Sequence, residues 1–242
     1  MHPRNTNHSS DPPNPNPLPF VKPSIAAAPS SPPGNEPSHI QSLITRLRLQ
    51  PHAEGGYFAE AHRDPKLTPS PYPSYPASPS QWAAATTNQQ KDKKGGESGG
   101  FNPAVRNAST IMFYLLTPGS PVGFLHRNRG PTVHTLLRGR GRYVVIHERV
   151  RIESFVAGLD RARGEKQRWV VEGGKYKATF LLPDLDESGE EGSTSKEGML
   201  VAETVVPGFE FFDHEFLEPS GLEELVGKDW AEKLGWLVKR QE

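Results

Sequence analysis

The sequence has no cysteine and no net charge, with 28 basic and 28 acidic residues among 242. Without cysteine the chain can form no disulfide, no thiolate zinc site and no cysteine nucleophile. Zero net charge argues against a general nucleic-acid binder, because affinity for phosphates comes from summed positive charge. No apolar run approaches the roughly 20 residues that cross a bilayer. We therefore expect neither a nucleic-acid partner nor a membrane location.

The first residues also lack the apolar core of a secretory signal. Arg4 and Lys22 are the only cations up to position 22, and the prolines disfavour the amphipathic helix of a mitochondrial address. We expect a cytoplasmic protein, with the nucleus as the alternative and the mitochondrion disfavoured.

Proline is unevenly distributed and marks the domain boundaries. Residues 1–39 hold 11 prolines and residues 65–100 hold six, so 17 of the 25 prolines fall in 75 residues. A segment rich in Pro, Ser and Asn buries too little apolar surface to offset its chain entropy. We predict a disordered tail over 1–38 and a disordered insertion at about 65–100.

The remaining sequence has the size of one domain. The prediction places this domain at 39–219, with a second polar, disordered insertion at 184–198, followed by a helical segment at 220–242. Ser38 is predicted to cap the first helix, and Ser220 with Glu223 forms the pattern of a capping box for the last one, with a break at Gly227.

Between the helices the pattern is that of strands. Short runs rich in β-branched and aromatic residues alternate with turn residues. The runs are Ser109–Thr117, Thr132–Arg138, Arg142–Glu148, Val150–Val156, Gln167–Val171, Lys175–Leu182, Met199–Val206 and Phe209–Leu217. Eight closely spaced runs predict a mainly β fold, an antiparallel sandwich or barrel.

Two stretches carry a family resemblance. LRLQPHAEGGYFAEAHR (Leu47–Arg63) resembles the pattern L-x-P-H-P-E-G-G-Y-F-x-E-x-x-R of an uncharacterised cupin family, often called the fifth cupin family. ETVVPGFEFFDHEF (Glu203–Phe216) resembles the T-V-A-P-G-F-D-F-x-D-F-E of the same family. From its residues alone, the first stretch also fits an ordinary turn and strand. The resemblance implies a cupin-like jelly-roll β-barrel, commonly a homodimer, and implies no particular reaction.

The resemblance also locates the metal ligands that metal-binding cupins use. Of those positions, His126 keeps an imidazole, but Phe124 stands at the first His and Lys177 at the last one. The family's Asp-Glu pair falls on Pro131 and Thr132. Phenylalanine cannot coordinate a metal, and a lysine ammonium has no free lone pair. We therefore predict no cofactor, with a bound metal as the disfavoured alternative.

His134 occupies the place of a family Trp, and on a strand it shares a face with Thr132. If that face looks inward, His126 and His134 line a pocket together. The alternative is that both histidines are merely exposed or hydrogen-bonded on the sheet.

The predicted function is binding of a small polar or anionic molecule inside the barrel, without a metal. Ligand-binding residues are predicted to be Arg63, Thr132, His134 and Lys177. One alternative is a sugar-type epimerase or isomerase with His126 as base and with Tyr114 and Glu60 as its catalytic partners. The other is a degenerate scaffold that acts through protein partners.

Overall fold

The computed structural model describes residues 36–72, 104–147, 151–186 and 188–240. The predicted disorder over 1–35 and over 73–100 lies outside the described residues. Within the described residues, no helix has the length and apolar character that crossing a membrane requires.

Two antiparallel sheets form the body of the fold. Sheet 1 has the strand order β1-β2-β5-β12-β7-β10, and sheet 2 has the order β13-β6-β11-β8-β9. The strands of sheet 1 are β1 (Gln50–Pro51), β2 (Tyr57–Arg63), β5 (Thr110–Leu116), β7 (Thr132–Arg138), β10 (Arg168–Val171) and β12 (Met199–Val205). Those of sheet 2 are β6 (Val122–Asn128), β8 (Gly141–Ile146), β9 (Ile152–Ala157), β11 (Tyr176–Leu181) and β13 (His214–Phe216). The arrangement confirms the predicted mainly β, jelly-roll architecture.

Each sheet is buried on both faces. On β8, Tyr143 and Val145 point between the sheets, whereas Val144 and Ile146 point to the outside of sheet 2. This period-2 alternation sends successive side chains to opposite faces. The interior of the barrel and the outer face of sheet 2 are therefore separate apolar layers.

Helices cover the outer faces. The helix α1 (Ser38–Leu47) places Ile40 against Tyr57, Leu115 and Leu200 of sheet 1. At the other end of the chain, α2 (Pro219–Val226) and α3 (Lys228–Leu234) pack on sheet 2. A short 3-10 turn at Gly235–Leu237 follows α3. Each sheet thus gains an apolar cover from one end of the chain.

Both predicted helix caps are wrong, although both helices exist. Pro37 is the N-cap residue of α1, so Ser38 is already helical and no side chain caps the helix. Glu218 is the N-cap residue of α2, and Pro219 takes the first helical position, where its missing N–H costs nothing. The predicted break at Gly227 is confirmed.

Three segments differ from the sequence predictions. The run Phe209–Leu217 is only partly a strand, because a 3-10 turn at Phe211–Asp213 precedes β13. The start of the 65–100 insertion forms β3 (Leu67–Pro69), which pairs with β4 (Val105–Asn107). In the 184–198 segment, residues 184–186 and 188–198 form a hydrogen-bonded loop, in which Leu185 bridges to Glu191. A further 3-10 turn lies at Arg161–Arg163.

The glycine-rich turn between β1 and β2 is pressed against β6. The Phe124 N–H donates to the Glu54 carbonyl over 2.7 Å. Gly55 adopts φ +98°, and a Cβ at that position would lie 2.0 Å from the Val122 carbonyl oxygen. Only glycine permits both the positive φ and this close approach. The turn therefore holds Glu54 at a fixed place beside β6.

We expect Gly55→Ala to destabilise the fold more strongly than a change at another positive-φ glycine. Gly174 has φ +80° and nothing within 4 Å of a Cβ, so Gly174→Ala adds only backbone strain, about 1–3 kcal/mol. Gly55→Ala adds the clash with Val122 to a comparable strain. Urea unfolding of both variants measures the difference, and equal losses of unfolding free energy would show that the contact with β6 is unimportant.

Candidate functional site

Buried polar side chains from both sheets meet inside the barrel. Sheet 1 contributes Tyr114 from β5, His134 from β7 and Glu203 from β12. Sheet 2 contributes His126, Tyr143, Lys177 and His214 from β6, β8, β11 and β13. The β1–β2 turn adds Glu54. Polar groups are normally kept out of a barrel interior, so this concentration marks the candidate site.

The His–Glu cluster consists of Glu54, His126 and His214. The His214 Nε2–H donates to Glu54 Oε1 over 2.6 Å, and His126 Nε2 lies 3.3 Å from the same oxygen. The two imidazole rings stack, with centroids 4.8 Å apart and planes 11° from parallel. His52 approaches the other carboxylate oxygen, with Nδ1 3.7 Å from Glu54 Oε2. One carboxylate is thus surrounded by three histidines.

Burial and charge set the protonation of the His–Glu cluster. Burial raises the pKa of Glu54, but His126, His52 and His214 outweigh it and hold the pKa well below its usual range. Burial lowers the pKa of His126 to about 3 against the opposing effect of Glu54. At neutral pH, Glu54 is therefore an anion and His126 is uncharged.

The Lys177 triad consists of Lys177, His134 and Glu203, and it joins the two sheets. Lys177 on sheet 2 donates from Nζ to His134 Nε2 over 2.9 Å and to Glu203 Oε2 over 3.4 Å, both on sheet 1. His134 and Glu203 lie opposite each other in the register of β7 and β12. The indole of Trp169 stacks on His134 with centroids 5.2 Å apart. His134 is therefore held by the hydrogen bond from Lys177 and by the stacked ring of Trp169.

Within the triad, Glu203 is ionised and His134 is neutral. Burial raises the pKa of Glu203, but the opposing effect of Lys177 and His134 is larger and brings this pKa down to about 2. Burial, and then the charge of Lys177, lowers the pKa of His134. His134 is therefore a neutral acceptor, which agrees with the hydrogen bond that it receives from Lys177.

A small cavity lies between the two groups of residues. It is lined by Glu54, Tyr114, His126, Tyr143, Lys177, Ala178, Thr179 and Glu203. The centre of a water molecule can occupy about 10 Å³ of this cavity, which is enough room for about one water. The Tyr114 hydroxyl donates to the Gly55 carbonyl over 3.0 Å, and burial raises its pKa well above 10. Tyr114 therefore stays protonated, and its hydroxyl is fixed at the cavity wall.

The structure brings together some of the residues predicted from sequence. His126, Tyr114 and Lys177 line the cavity, and His134 contacts Lys177. His126 and His134 both point inward, but each lies in a separate group. Thr132 is also buried on β7, next to Val171 and Val205 in the register, and it does not line the cavity.

The predicted placement of Glu60 and Arg63 at the interior site is wrong. Both lie towards the end of β2, with side chains 38% and 30% exposed, and they form an ion pair over 2.7 Å. Arg63 also donates to Glu210 and to the Phe209 carbonyl, so it anchors the segment before β13. A register shift between Glu60 and His62 also interrupts the regular pairing of β2 with β5.

Sequence reasoning missed Glu54, Glu203 and His214. Glu54 and Glu203 stand inside the two quoted motifs, as the Glu of EGGY and the residue before Thr204. His214 stands where the family pattern has a phenylalanine. A polar residue that replaces an aromatic one within a motif is a signal for function, and it could have drawn attention to this position.

The metal positions of other cupins do not fit a metal here. Phe124 offers no ligand atom, Thr132 lies away from the cavity, and the ammonium of Lys177 occupies the last position. His126 is the one residue of that set with a ligand atom facing the cavity. The structure instead brings Glu54 and His214 to His126, and neither belongs to that set.

Comparison with known families agrees with the fold and the motifs. A family model described as cupin superfamily (DUF985) matches residues 41–217, which include the β1–β2 turn and β13. The chain belongs to this cupin family. An uncharacterised protein of Saccharomyces cerevisiae is 41% identical over 203 residues, covering 84% of this chain and 87% of its own.

Two solved structures share the cupin fold. A hypothetical protein from Leishmania major has a TM-score of 0.60 and 22% identity, and the match covers 83% of this chain and 98% of its own. A protein from Shewanella oneidensis has a TM-score of 0.57 and 20% identity, with coverage of 84% and 98%. At this identity the two structures support the fold alone.

We expect Lys177→Met to destabilise this cupin domain by about 3–5 kcal/mol, because it leaves the Glu203 carboxylate buried without its cation. The double variant Lys177→Met/Glu203→Leu should recover much of that loss. Lys175→Met is the matched control on the same chain segment, since its partner Glu172 faces solvent. Urea unfolding of the four proteins checks the coupling, and a double variant no more stable than Lys177→Met would contradict it.

We also expect Glu203 to make stability depend on pH. The folded pKa of about 2 lies below the ordinary 4.5, so its contribution is fully present above pH 4.5 and is lost as the pH falls towards 2. The difference corresponds to about 3 kcal/mol. Unfolding free energies of the wild type and Glu203→Gln should therefore differ by a constant amount above pH 4.5 and converge as the pH falls from 4.5 towards 2. Glu232→Gln, on exposed α3, is the control, and parallel curves for Glu203→Gln would contradict the assignment.

Proposed function

We propose that the barrel interior binds a small, uncharged polar molecule by hydrogen bonds. The observation that carries the proposal is the convergence of buried donors and acceptors from both sheets on one cavity. Small-molecule sites typically combine an apolar enclosure with a few polar groups of this kind. The apolar enclosure here is the interior cluster around Phe58, Leu136 and Trp169.

The charges of the site favour an uncharged ligand over an anion. Glu54 and Glu203 are both ionised, because their pKa values are lowered. Lys177 is the only lysine or arginine among the residues that line the cavity, and Glu203 already neutralises it. In the protein without a bound metal, an added anion would face the carboxylate of Glu54 without a free lysine or arginine to balance it. A hydroxyl or an amide can instead both donate and accept.

The size of the cavity limits how the ligand enters. With room for about one water, the cavity accepts a single hydroxyl or amino group of the ligand directly. A larger part of the ligand requires side chains at the cavity to move. This favours a molecule with several hydroxyl groups, such as a polyol or a nucleoside, that inserts one polar group into the cavity.

Proton transfer is a weaker candidate on this geometry. A histidine whose pKa is about 3 is a poor general base near neutral pH, because the best catalytic pKa lies near the working pH. Glu60, the predicted carboxylate partner, lies outside the interior. Should this barrel catalyse an isomerisation, Glu54 beside His126 and the Tyr114 hydroxyl are the groups placed to move protons.

A thermal-unfolding screen of the full-length protein tests the binding proposal. The panel contains neutral polyols, sugars and nucleosides together with their phosphorylated forms. A neutral ligand at about 100 times its Kd adds about 2.7 kcal/mol of stability, a rise of about 5–10 °C in Tm. We expect the neutral compounds to raise Tm more than their phosphates.

Variants then place the binding in the barrel. Lys177→Met/Glu203→Leu should lose the rise in Tm, whereas Lys196→Met, at an exposed site, should keep it. A rise that persists in the double variant would put the ligand elsewhere. A larger rise with phosphorylated compounds would overturn the preference for an uncharged ligand.

A further inference from the structure

The His–Glu cluster has the composition of a metal site, and it joins parts of the chain that are far apart in sequence. Glu54 comes from the β1–β2 turn, His126 from β6 and His214 from β13. One ligand atom of each residue lies within 4.8 Å of those of the other two. The residues are 9%, 4% and 5% exposed, so bulk water does not surround these atoms.

His126 presents an unshared lone pair to this cluster. Its Nδ1 lies 2.8 Å from the Phe124 carbonyl oxygen, which can only accept, so Nδ1 carries the ring proton. In this tautomer Nε2 is the atom that offers a lone pair to a metal, and it has no hydrogen-bond partner within the part of the chain that the structure describes. A backbone carbonyl that fixes the tautomer in this way is the usual outer contact of a metal-binding histidine.

The lone pair of His126 faces a carboxylate oxygen rather than a donor. Nε2 lies 3.3 Å from Glu54 Oε1, so two electron-rich atoms stand opposite each other in a buried place. Such a contact is unfavourable unless a proton or a cation comes between the atoms. A cation at this place would be bound by both atoms at once.

His214 completes the set after a change in side-chain orientation. Its Nε2 is already hydrogen-bonded to Glu54 Oε1, and its ring is nearly parallel to that of His126. Because an imidazole lone pair lies in the plane of the ring, one ion can reach both Nε2 atoms only when one ring rotates. A cation would then replace the His214–Glu54 hydrogen bond.

We propose that Glu54, His126 and His214 bind one divalent transition-metal ion. Two imidazoles and one carboxylate favour ions such as Zn²⁺, Fe²⁺, Co²⁺ or Ni²⁺ over Mg²⁺ and Ca²⁺, which prefer oxygen ligands. The site shares only His126 with the metal positions of other cupins. Its third ligand, His214, stands where the family pattern has a phenylalanine.

Metal titration of the full-length protein without an affinity tag tests the proposal. After treatment with EDTA and removal of the chelator, Zn²⁺ and Co²⁺ are titrated calorimetrically, with Mg²⁺ and Ca²⁺ for comparison. We expect one equivalent of Zn²⁺ or Co²⁺ to bind, with no comparable binding of Mg²⁺ or Ca²⁺. Bound Co²⁺ should give visible absorption bands. Substoichiometric binding of every transition metal would overturn the proposal.

Substitutions identify the ligands. His214→Phe installs the residue of the family pattern and should weaken Zn²⁺ binding at least about 10–100-fold, the loss seen when even an outer partner of a metal ligand is removed. Glu54→Gln, which preserves shape, should weaken binding to a similar degree. His62→Phe removes an exposed histidine of β2 and should leave the Kd unchanged.

The remaining outcomes are also decisive. Unchanged Zn²⁺ affinity in His214→Phe and Glu54→Gln, with both variants folded in EDTA, would contradict the site. An equal loss in His62→Phe would assign the binding to surface histidines. Lys177→Met/Glu203→Leu should keep its metal while losing the small-molecule response, so the failure of one proposal leaves the other standing.

Discussion

The hydrogen bond from the Phe124 N–H to the Glu54 carbonyl fixes the geometry on which the interior depends. It presses the glycine turn onto β6, and Gly55 makes the approach sterically permissible. Three consequences follow from this one contact. The Glu54 side chain comes beside His126, the Gly55 carbonyl becomes the acceptor for Tyr114, and the cavity gains its wall at this end. The EGG motif is therefore a positioning device for a carboxylate as well as a tight turn.

The two polar groups of the interior balance each other electrostatically. Lys177 and His126 are directly opposite in the register of β11 and β6, so the ammonium is also near the His–Glu cluster. Its charge helps to keep His126 neutral, while its hydrogen bonds go to His134 and Glu203. A residue that would disrupt an ordinary metal site of a cupin is thus accommodated by partners on the opposite sheet. His134 and Lys177, two departures from the family pattern, are best understood together, because each supplies the hydrogen-bond partner of the other.

Local patterns predicted the strands well and the site only in part. The β-branched runs of β5, β7, β8, β11 and β12 are each within about two residues of the predicted bounds, because burial between two layers selects such residues. Alternation placed His134 on the same face as Thr132, but only the structure shows that this face looks inward. The predicted interior position of Glu60 is wrong because β2 is buried only at its start, and a register shift follows Glu60. Glu54 and His214 are 160 positions apart, and only the tertiary fold brings them together. The predicted helix caps are wrong because prolines set where the helices begin: Pro37 precedes α1, and Pro219 is the first residue of α2.

The apolar layers under the outer helices differ in composition from the interior of the barrel. A charged pair buried between the sheets adds little stability over an apolar pair of the same volume, since desolvation offsets much of its attraction. The apolar layers outside the sheets contain no such groups among their core residues: Leu222, Leu234 and Leu237 pack on one sheet and Ile40 packs on the other. Apolar packing is thus uninterrupted outside the sheets, whereas between the sheets it surrounds the charged groups of the site.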